Sequence, residues 1–480
     1  MSGIRAYGAY IPRYRLDRKL IFAATGFLGA SPMQGEKAVA NFDEDSITMA
    51  VAASIECLGN LPRSIVQRLY FATTTPPYQV RQNSAIIAGA LDLSPAVGTG
   101  DVTGCTKSAT GALLAGLAAL QAGEQENVLV AASDCRVGKP GGPQEYLYGD
   151  GAAALLVGSE DLLATFEGHY SVTCDFPDRW RADEEKFEHA WEDRFIRDEG
   201  YTKFIPQAIS GLLSKYSLSP NDVARVVFPC IYPREHAAIG KQLGIDPAKL
   251  QGSTLDMVGE TGSASPLLMM AAALDKAKPG DLVILASYGS GSDALLFKAT
   301  DKIGSIGNRE NTKNQMTARR PLPSYEKYLA FRNAMPIDLG IRGEVKQATP
   351  LSALYRERKQ ILSLCGSRCR SCGTPQFPAN RICVNPDCLS VDQMDEYRFS
   401  DKKAVVFSYT SDSLAASISP PSIYGLIDFE GGGRFWFDFT DCDPESVQVG
   451  MPLRMSFRRK YQDELRGIHG YFWKAVPAGA

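Results

Sequence analysis

The sequence predicts a layered α/β protein built of two similar halves and followed by two small C-terminal modules. Three observations carry that prediction. Short apolar runs alternate with alanine-rich helical stretches over residues 1–165, and the same cadence returns over 166–300. The pattern then gives way to a cluster of cysteines and a series of strand-length segments without a crossover helix. A chain of 480 residues is long enough for about three structural units at roughly 150 residues each. With 44% apolar and 22% charged residues it is a globular composition, which excludes wholesale disorder. The 51 Lys and Arg against 54 Asp and Glu leave a net charge of -3, so no global positive field is available to gather nucleic acid.

In chain order, RLYFATTT (68–75) reads as a buried strand, VRQNSAIIAGAL (80–91) as a helix and GTGDVTG (98–104) as a strand. CTKSATGALLAGLAALQAG (105–123) reads as a long helix, and VLVAASD and AAALLVG as two further strands. The second half repeats the scheme with RVVFPCIY, HAAIGKQLG, SPLLMMAAALDKA and the strand pair LVILASYGSGSDALLF around a Gly/Ser turn. Residues 301–360 are polar and punctuated by proline, the signature of a linker carrying one docking helix. Beyond a small cysteine module at 361–395, residues 396–480 hold AVVFSYT, YGLIDFE, RFWFDFT, LRMSFRRK and GYFWKAV. Strands of this number and spacing suit a small antiparallel barrel of the OB-fold type.

The N-terminus, MSGIRAYGAYIPRYRLDRK, lacks the apolar centre of a secretory signal, and no stretch approaches about 18 uninterrupted apolar residues. A cytoplasmic protein without a membrane partner is expected. In such a reducing compartment, cysteines serve metals or thiolate chemistry rather than disulfides. Cys369 and Cys372 are separated by two residues, Cys383 and Cys388 by four. Each pair can present two thiolates from a tight turn, and together they close a tetrahedral shell around a structural zinc ion; Cys365 is left as a spare.

Cys105 directly follows the strand GTGDVTG and opens the long helix, so its thiol should meet unpaired helix amides. The dipole, with Lys107 nearby, is expected to favour the thiolate. An isolated cysteine is otherwise a small buried hydrophobe.

FATTTPPY, DVTGCTKSATGALLAGL, LYGDGAAALLVG, DRWRADEEKFEHAWEDRF, GSASPLL and SYGSGSDALLF together resemble the thiolase superfamily, in its branch of hydroxymethylglutaryl-CoA synthases and ketoacyl-ACP synthases III. The C-terminal part resembles the zinc-ribbon plus OB-fold proteins that accompany such enzymes. The resemblance implies a five-layered αβαβα fold of two like halves, a homodimer, and an acyltransferase that forms or cleaves a carbon–carbon bond in an acyl-CoA or acyl-carrier substrate. Cys105 would carry the acyl group, with the oxyanion held by its own amide and by that of Ser290 in the turn Gly289, Ser290 and Gly291.

Three positions depart from that pattern. Thr74 stands where the synthases have a general-base glutamate, which argues against standard hydroxymethylglutaryl-CoA synthesis. Pro229, followed by Cys230, stands where a histidine is expected. Glu260 replaces an asparagine. Glu260 is therefore a candidate base of a rearranged site, or a helix cap; His236 is a candidate that swings back toward Cys105, or a first-turn surface residue. His189 is a weaker one. Thr74, Trp180 and Arg181 are expected to wall the substrate pocket, with Trp191 near them; Arg181 meets a phosphate or carboxylate, or is simply solvated. The competing function is a thiolase-like scaffold that holds a partner enzyme of the same pathway. A nucleic-acid role for Phe435, Trp436, Phe437, Trp473 and the run Arg458, Arg459, Lys460 is not expected, because half of such strand aromatics must face a core.

Overall fold

The computed structural model describes residues 1–29, 32–305, 311–338, 340 and 348–479, which form two compact units. The first comprises Met1–Ala40, Asp45–Ala88 and Leu93–Ala334; the second comprises Asn41–Glu44, Gly89–Asp92 and Met335–Ala480.

The first unit is organised by nine strands: β1 (Gly3–Tyr10), β2 (Arg68–Ala72), β3 (Gly98–Val102), β4 (Asn127–Asp134), β5 (Gly151–Gly158), β6 (Ala164–Thr173), β7 (Arg225–Val227), β8 (Leu282–Tyr288) and β9 (Gly291–Ala299). Their spatial order is β7-β8-β9-β6-β1-β5-β4-β2-β3. Read outward from the β1–β6 seam, the two halves match. In each, the first strand pairs antiparallel with the last, which pairs antiparallel with the one before it. That strand in turn pairs in parallel with the next, β4 with β2 and β8 with β7. Even the outermost partner recurs: β2 pairs in parallel with β3, and Val226 of β7 is bridged in parallel by Leu250.

Helices α1 (Ser46–Leu58), α2 (Asn83–Ala90) and α3 (Ser108–Gln121) of the first half correspond in order to α4 (Thr202–Lys215), α5 (Pro233–Gln242) and α6 (Ser265–Leu274) of the second. Ala109, Leu113 and Leu117 of α3 share one core with Leu267, Met270 and Leu274 of α6, which makes these two helices the middle layer of an αβαβα stack. Both are built of small residues because the layers close tightly. A Cβ added at Gly116 would come within 3.1 Å of Val128. Strands β4 and β5 are buried at every position, as strands covered by helices on both faces must be.

The structure departs from the expected linker over 301–360. Residues up to Ala334 belong to the first unit, where helix α7 (Tyr325–Phe331) buries Tyr325, Tyr328 and Phe331. Aromatic residues at this helical spacing have a core to fill, which polar composition alone concealed. Residues 306–310, 339 and 341–347 of that stretch lie outside the described residues.

In the second unit, strands Cys365–Cys369, Pro375–Gln376 and Met394–Arg398 form a small sheet. The strands Ala404–Asp412, Ser422–Phe429, Arg434–Phe439, Pro452–Asp463 and Ile468–Pro477 close into a barrel. Phe437 and Trp473 fill its interior, with the Trp473 indole donating to the Leu362 carbonyl at 2.6 Å. Arg458 is likewise buried and paired with Asp441, so the basic run is not a continuous exposed surface. No helix among the described residues is long and apolar enough to cross a membrane.

Candidate active site and metal centre

Strand β3 ends at Val102, and a turn carries the chain to α3, whose first residue is Ser108. The helix thus begins three residues later than the sequence suggests. Gly104 makes the turn possible, since its φ of +103° suits glycine and few other residues. Cys105 sits in this turn, half-buried, with its carbonyl accepting from the Ser108 amide at 3.1 Å.

Side-chain bonds tie the turn to the other half of the fold. The Thr106 hydroxyl donates to the Tyr288 carbonyl at 2.7 Å, and Asp293 receives both Lys107 at 3.2 Å and the Thr110 hydroxyl at 2.8 Å. Gly289 approaches so closely that an added Cβ would lie 2.9 Å from the Lys107 nitrogen. Next to it, Ser290 adopts a φ of +47°. A side chain at Gly289 would not fit between these two turns, and Cys105 and Ser290 line one cleft that is open to solvent.

The expected thiolate is corrected by the surroundings. Burial pushes the Cys105 thiol above its ordinary value. The Lys107 amide and its charge pull it back, while Asp293 and Asp178 push the same way as burial. Lys107 is shared with Asp293, whose charge opposes its field at the sulfur.

Thr74, Trp180 and Arg181 line the cleft with Cys105. The Thr74 amide donates to Asp134 at 2.6 Å, and its carbonyl accepts from Arg181 at 3.1 Å. Its hydroxyl oxygen is buried and, among the described residues, has no hydrogen-bond partner. Trp180 is about half exposed and stacks on His189, which is itself exposed and bonded to Glu185 at 2.9 Å. Two expected residues are not part of this wall. His236 lies in the first turn of α5 with its ring 4.5 Å from Phe228, packed into the second half. Glu260 is buried behind the wall: one oxygen accepts the Gly262 amide at 2.9 Å, and the other meets Arg136 and, at 3.7 Å, Arg179. In that position it is the countercharge of two arginines rather than a free base.

The polar wall itself escaped the sequence reading. Arg136 holds Glu188 through two hydrogen bonds, of 2.9 and 2.5 Å, while its plane lies 3.8 Å over the Tyr148 ring. Tyr148 donates to Glu188 at 2.8 Å. Although burial opposes it, Arg136 with Tyr148 brings the Glu188 carboxyl down to about 2. Asp178 also lines the cleft, and burial pushes its carboxyl up against the pull of Arg179 and the Tyr288 hydroxyl. A signal for Arg136 exists in the sequence: it follows the end of strand VLVAASD, and strand ends are where α/β sheets place ligands. Asp178 and Glu188 bracket the acidic and aromatic segment after β6.

In the second unit, the sulfurs of Cys369, Cys372, Cys383 and Cys388 all lie within 4.8 Å of one another. The Cys369–Cys388 and Cys372–Cys383 separations are 3.8 and 3.5 Å. Zinc–sulfur bonds of about 2.3 Å in a tetrahedron require sulfur separations of roughly 3.8 Å, so this donor set fits zinc. Cys365 stays outside it, buried and pushed up to about 11. Since metal binding supplies folding energy in such small modules, Cys383→Ser should abolish stoichiometric zinc by elemental analysis. The same variant should open residues 365–398 to limited proteolysis; retained zinc would contradict the assignment.

Comparison with known proteins places these features. Residues 213–297 match the C-terminal domain of 3-oxoacyl-[acyl-carrier-protein] synthase III; residues 356–395 match the ChsH2 rubredoxin-like zinc ribbon, and 397–458 the ChsH2 C-terminal OB-fold domain. The hydroxymethylglutaryl-CoA synthase of Methanopyrus kandleri is 32% identical over 343 residues, 69% of this chain and 97% of that protein. That of Thermococcus sibiricus is 35% identical over 309 residues, 63% of this chain and 87% of its own length. Among solved structures, HMG-CoA synthase complexed with CoA aligns with a TM-score of 0.62 at 20% identity, covering 72% of this chain and 95% of that one. The 3-oxoacyl-[acyl-carrier-protein] synthase III of Aquifex aeolicus aligns at 0.55 and 20% identity, covering 62% and 100%.

Proposed function

Because the chain belongs to the hydroxymethylglutaryl-CoA synthase family of thiolase-like condensing enzymes, we propose that it transfers an acyl group from a coenzyme A thioester to Cys105 and then forms or cleaves a carbon–carbon bond at that acyl group. In this reading, sulfur attacks the thioester carbonyl, the C–S bond to coenzyme A breaks, and the acyl-enzyme meets a second substrate. The amides of Cys105 and Ser290 hold the oxyanion, which forms where only backbone can approach.

The observation that carries this reading is the cysteine turn and the Gly289–Ser290 turn facing one cleft. Thr74 stands against standard hydroxymethylglutaryl-CoA synthesis, because a hydroxyl does not remove a proton from an acyl methyl group. Among the described residues Arg181 donates to the main-chain oxygens of Thr74 and Glu185, so its charge is available to a phosphate of coenzyme A or a carboxylate of the substrate. Homodimerisation and a partner enzyme of the same pathway complete the proposal.

Incubation with a panel of acyl-CoAs, read by intact mass spectrometry, tests it. A stoichiometric adduct that peptide mapping places on Cys105 is the expected result. Its absence across the panel would support a scaffold that only binds and passes on intermediates.

A further inference from the structure

We propose that Asp178 is the acid–base residue of the cleft: it accepts the Cys105 thiol proton as the sulfur attacks the thioester, and returns that proton to the departing coenzyme A thiolate. The inference rests on the acyl-transfer reading above and names the group that makes it work. One C–S bond forms and another breaks, the proton moves from sulfur to carboxylate to sulfur, and no further reactant is needed.

Elimination leads to this residue. A neutral thiol in a buried turn needs a base, and among the described residues no histidine lines the cleft. The two carboxylates of the wall are Asp178 and Glu188. Glu188 is gripped by Arg136 and Tyr148, and Glu260 behind it by Arg136 and Arg179. Among the described residues, Asp178 has no lysine or arginine nitrogen within ion-pairing distance. One of its oxygens accepts the Arg179 amide at 2.8 Å.

The residue is nevertheless fixed in place. Its carbonyl accepts the Trp191 amide at 2.9 Å and its amide donates to the Phe176 carbonyl at 2.9 Å. The short hairpin pairing Trp180 with His189 holds the segment next to it. The residue is 9% exposed. The ionisable groups around it come from four places: Arg179 on its own segment, Tyr201 before α4, Tyr288 at the end of β8, and Cys105.

Burial raises the Asp178 carboxyl, so its basic form appears only as pH climbs through that raised value. The acylation rate of the wild-type protein should therefore rise along an acid limb set by Asp178, well before the Cys105 thiol ionises unaided.

The test compares wild type, Asp178→Asn and Asp178→Glu by quenched-flow mass spectrometry of the Cys105 adduct from acetyl-CoA across pH. Asp178→Asn should acylate about 100-fold or more slowly, without the acid limb, and converge on wild type at alkaline pH where the thiolate forms by itself. Asp178→Glu should restore part of the limb, which a merely structural role would not produce. Thermal melting shows that each variant is folded, and Asp178→Glu serves if Asp178→Asn is not. Equal rates and equal profiles for wild type and Asp178→Asn would overturn Asp178 while leaving acyl transfer standing. A wild-type protein that forms no adduct from acetyl-CoA or the wider panel would overturn both.

Discussion

Cys105→Ala is expected to leave a folded protein that takes up no acyl group and turns over at least about 10⁴-fold more slowly than wild type. The thiol is half-buried in a turn held by Thr106, Lys107 and Thr110, and none of these contacts involves its sulfur. Stability should therefore change by less than about 1 kcal/mol, visible as an almost unmoved thermal melt. In the wild-type protein, alkylation by iodoacetamide provides the companion measurement. Since burial raises the thiol, the reactive anion is scarce at neutral pH and accumulates as pH rises, so the alkylation rate should climb into the alkaline range. A fast, pH-independent reaction at neutrality would show that the turn stabilises the anion after all.

Arg136→Met is expected to cost about 3–5 kcal/mol of stability, the price of leaving buried carboxylates without their cation. The Arg136 side chain is 1% exposed, and its partners Glu188 and Glu260 are 12% and 7% exposed. Arg179 remains nearby at 3.7 Å from Glu260 but cannot replace the two-pronged grip on Glu188. The pH dependence has a definite sign. In the wild-type protein the Glu188 carboxyl lies at about 2, below its ordinary 4.5. A depressed carboxyl stabilises the folded state fully above its unfolded value, and that contribution fades as pH falls toward its folded one. The difference between Arg136→Met and wild type in chemical denaturation should thus be largest at neutral pH and shrink below about pH 4.5. A deficit that stays constant through this range would mean that lost packing over Tyr148, not lost charge, dominates.

The features legible in the sequence are those encoded locally. Apolar runs specify seven of the nine strands of the sheet, β1 and β6 at its centre being the two left unread, four cysteines at two short spacings specify the ribbon, and five β-rich segments specify the barrel. Cys105 could be singled out because strand, turn and helix follow one another within a few residues. The wall of the cleft is encoded differently. Arg136 meets Glu188 across 52 positions and Glu260 across 124, and no local pattern announces such a meeting. Glu260 illustrates the point. Its replacement of a neutral side chain was visible, but the arginines that neutralise it were not, so its charge seemed free when it is bound. Asp178 was overlooked for the opposite reason, because an aspartate in an acidic, aromatic loop looks solvated until the fold buries it. The tyrosines of α7 were masked in the same way by their polar neighbours.

Cys105 and Glu260 occupy equivalent places, each in the turn that leads into a middle-layer helix, α3 in one half and α6 in the other. The Cys105 turn follows β3 and Glu260 is bridged in parallel to Tyr148, just ahead of β5; both strands belong to one continuous sheet, whose halves join where Gly3 and Ile4 meet Thr165 and Ala164. The two turns are thus tied to one framework. Accommodation of bulkier cargo therefore falls to the remaining side, the hairpin whose strands are joined at only Arg179–Ala190 and Trp180–His189. Insertions or deletions at the tip of that hairpin, between Arg181 and Phe187, are the simplest route by which such a framework acquires a different appetite while leaving Asp178 and Glu188 in place.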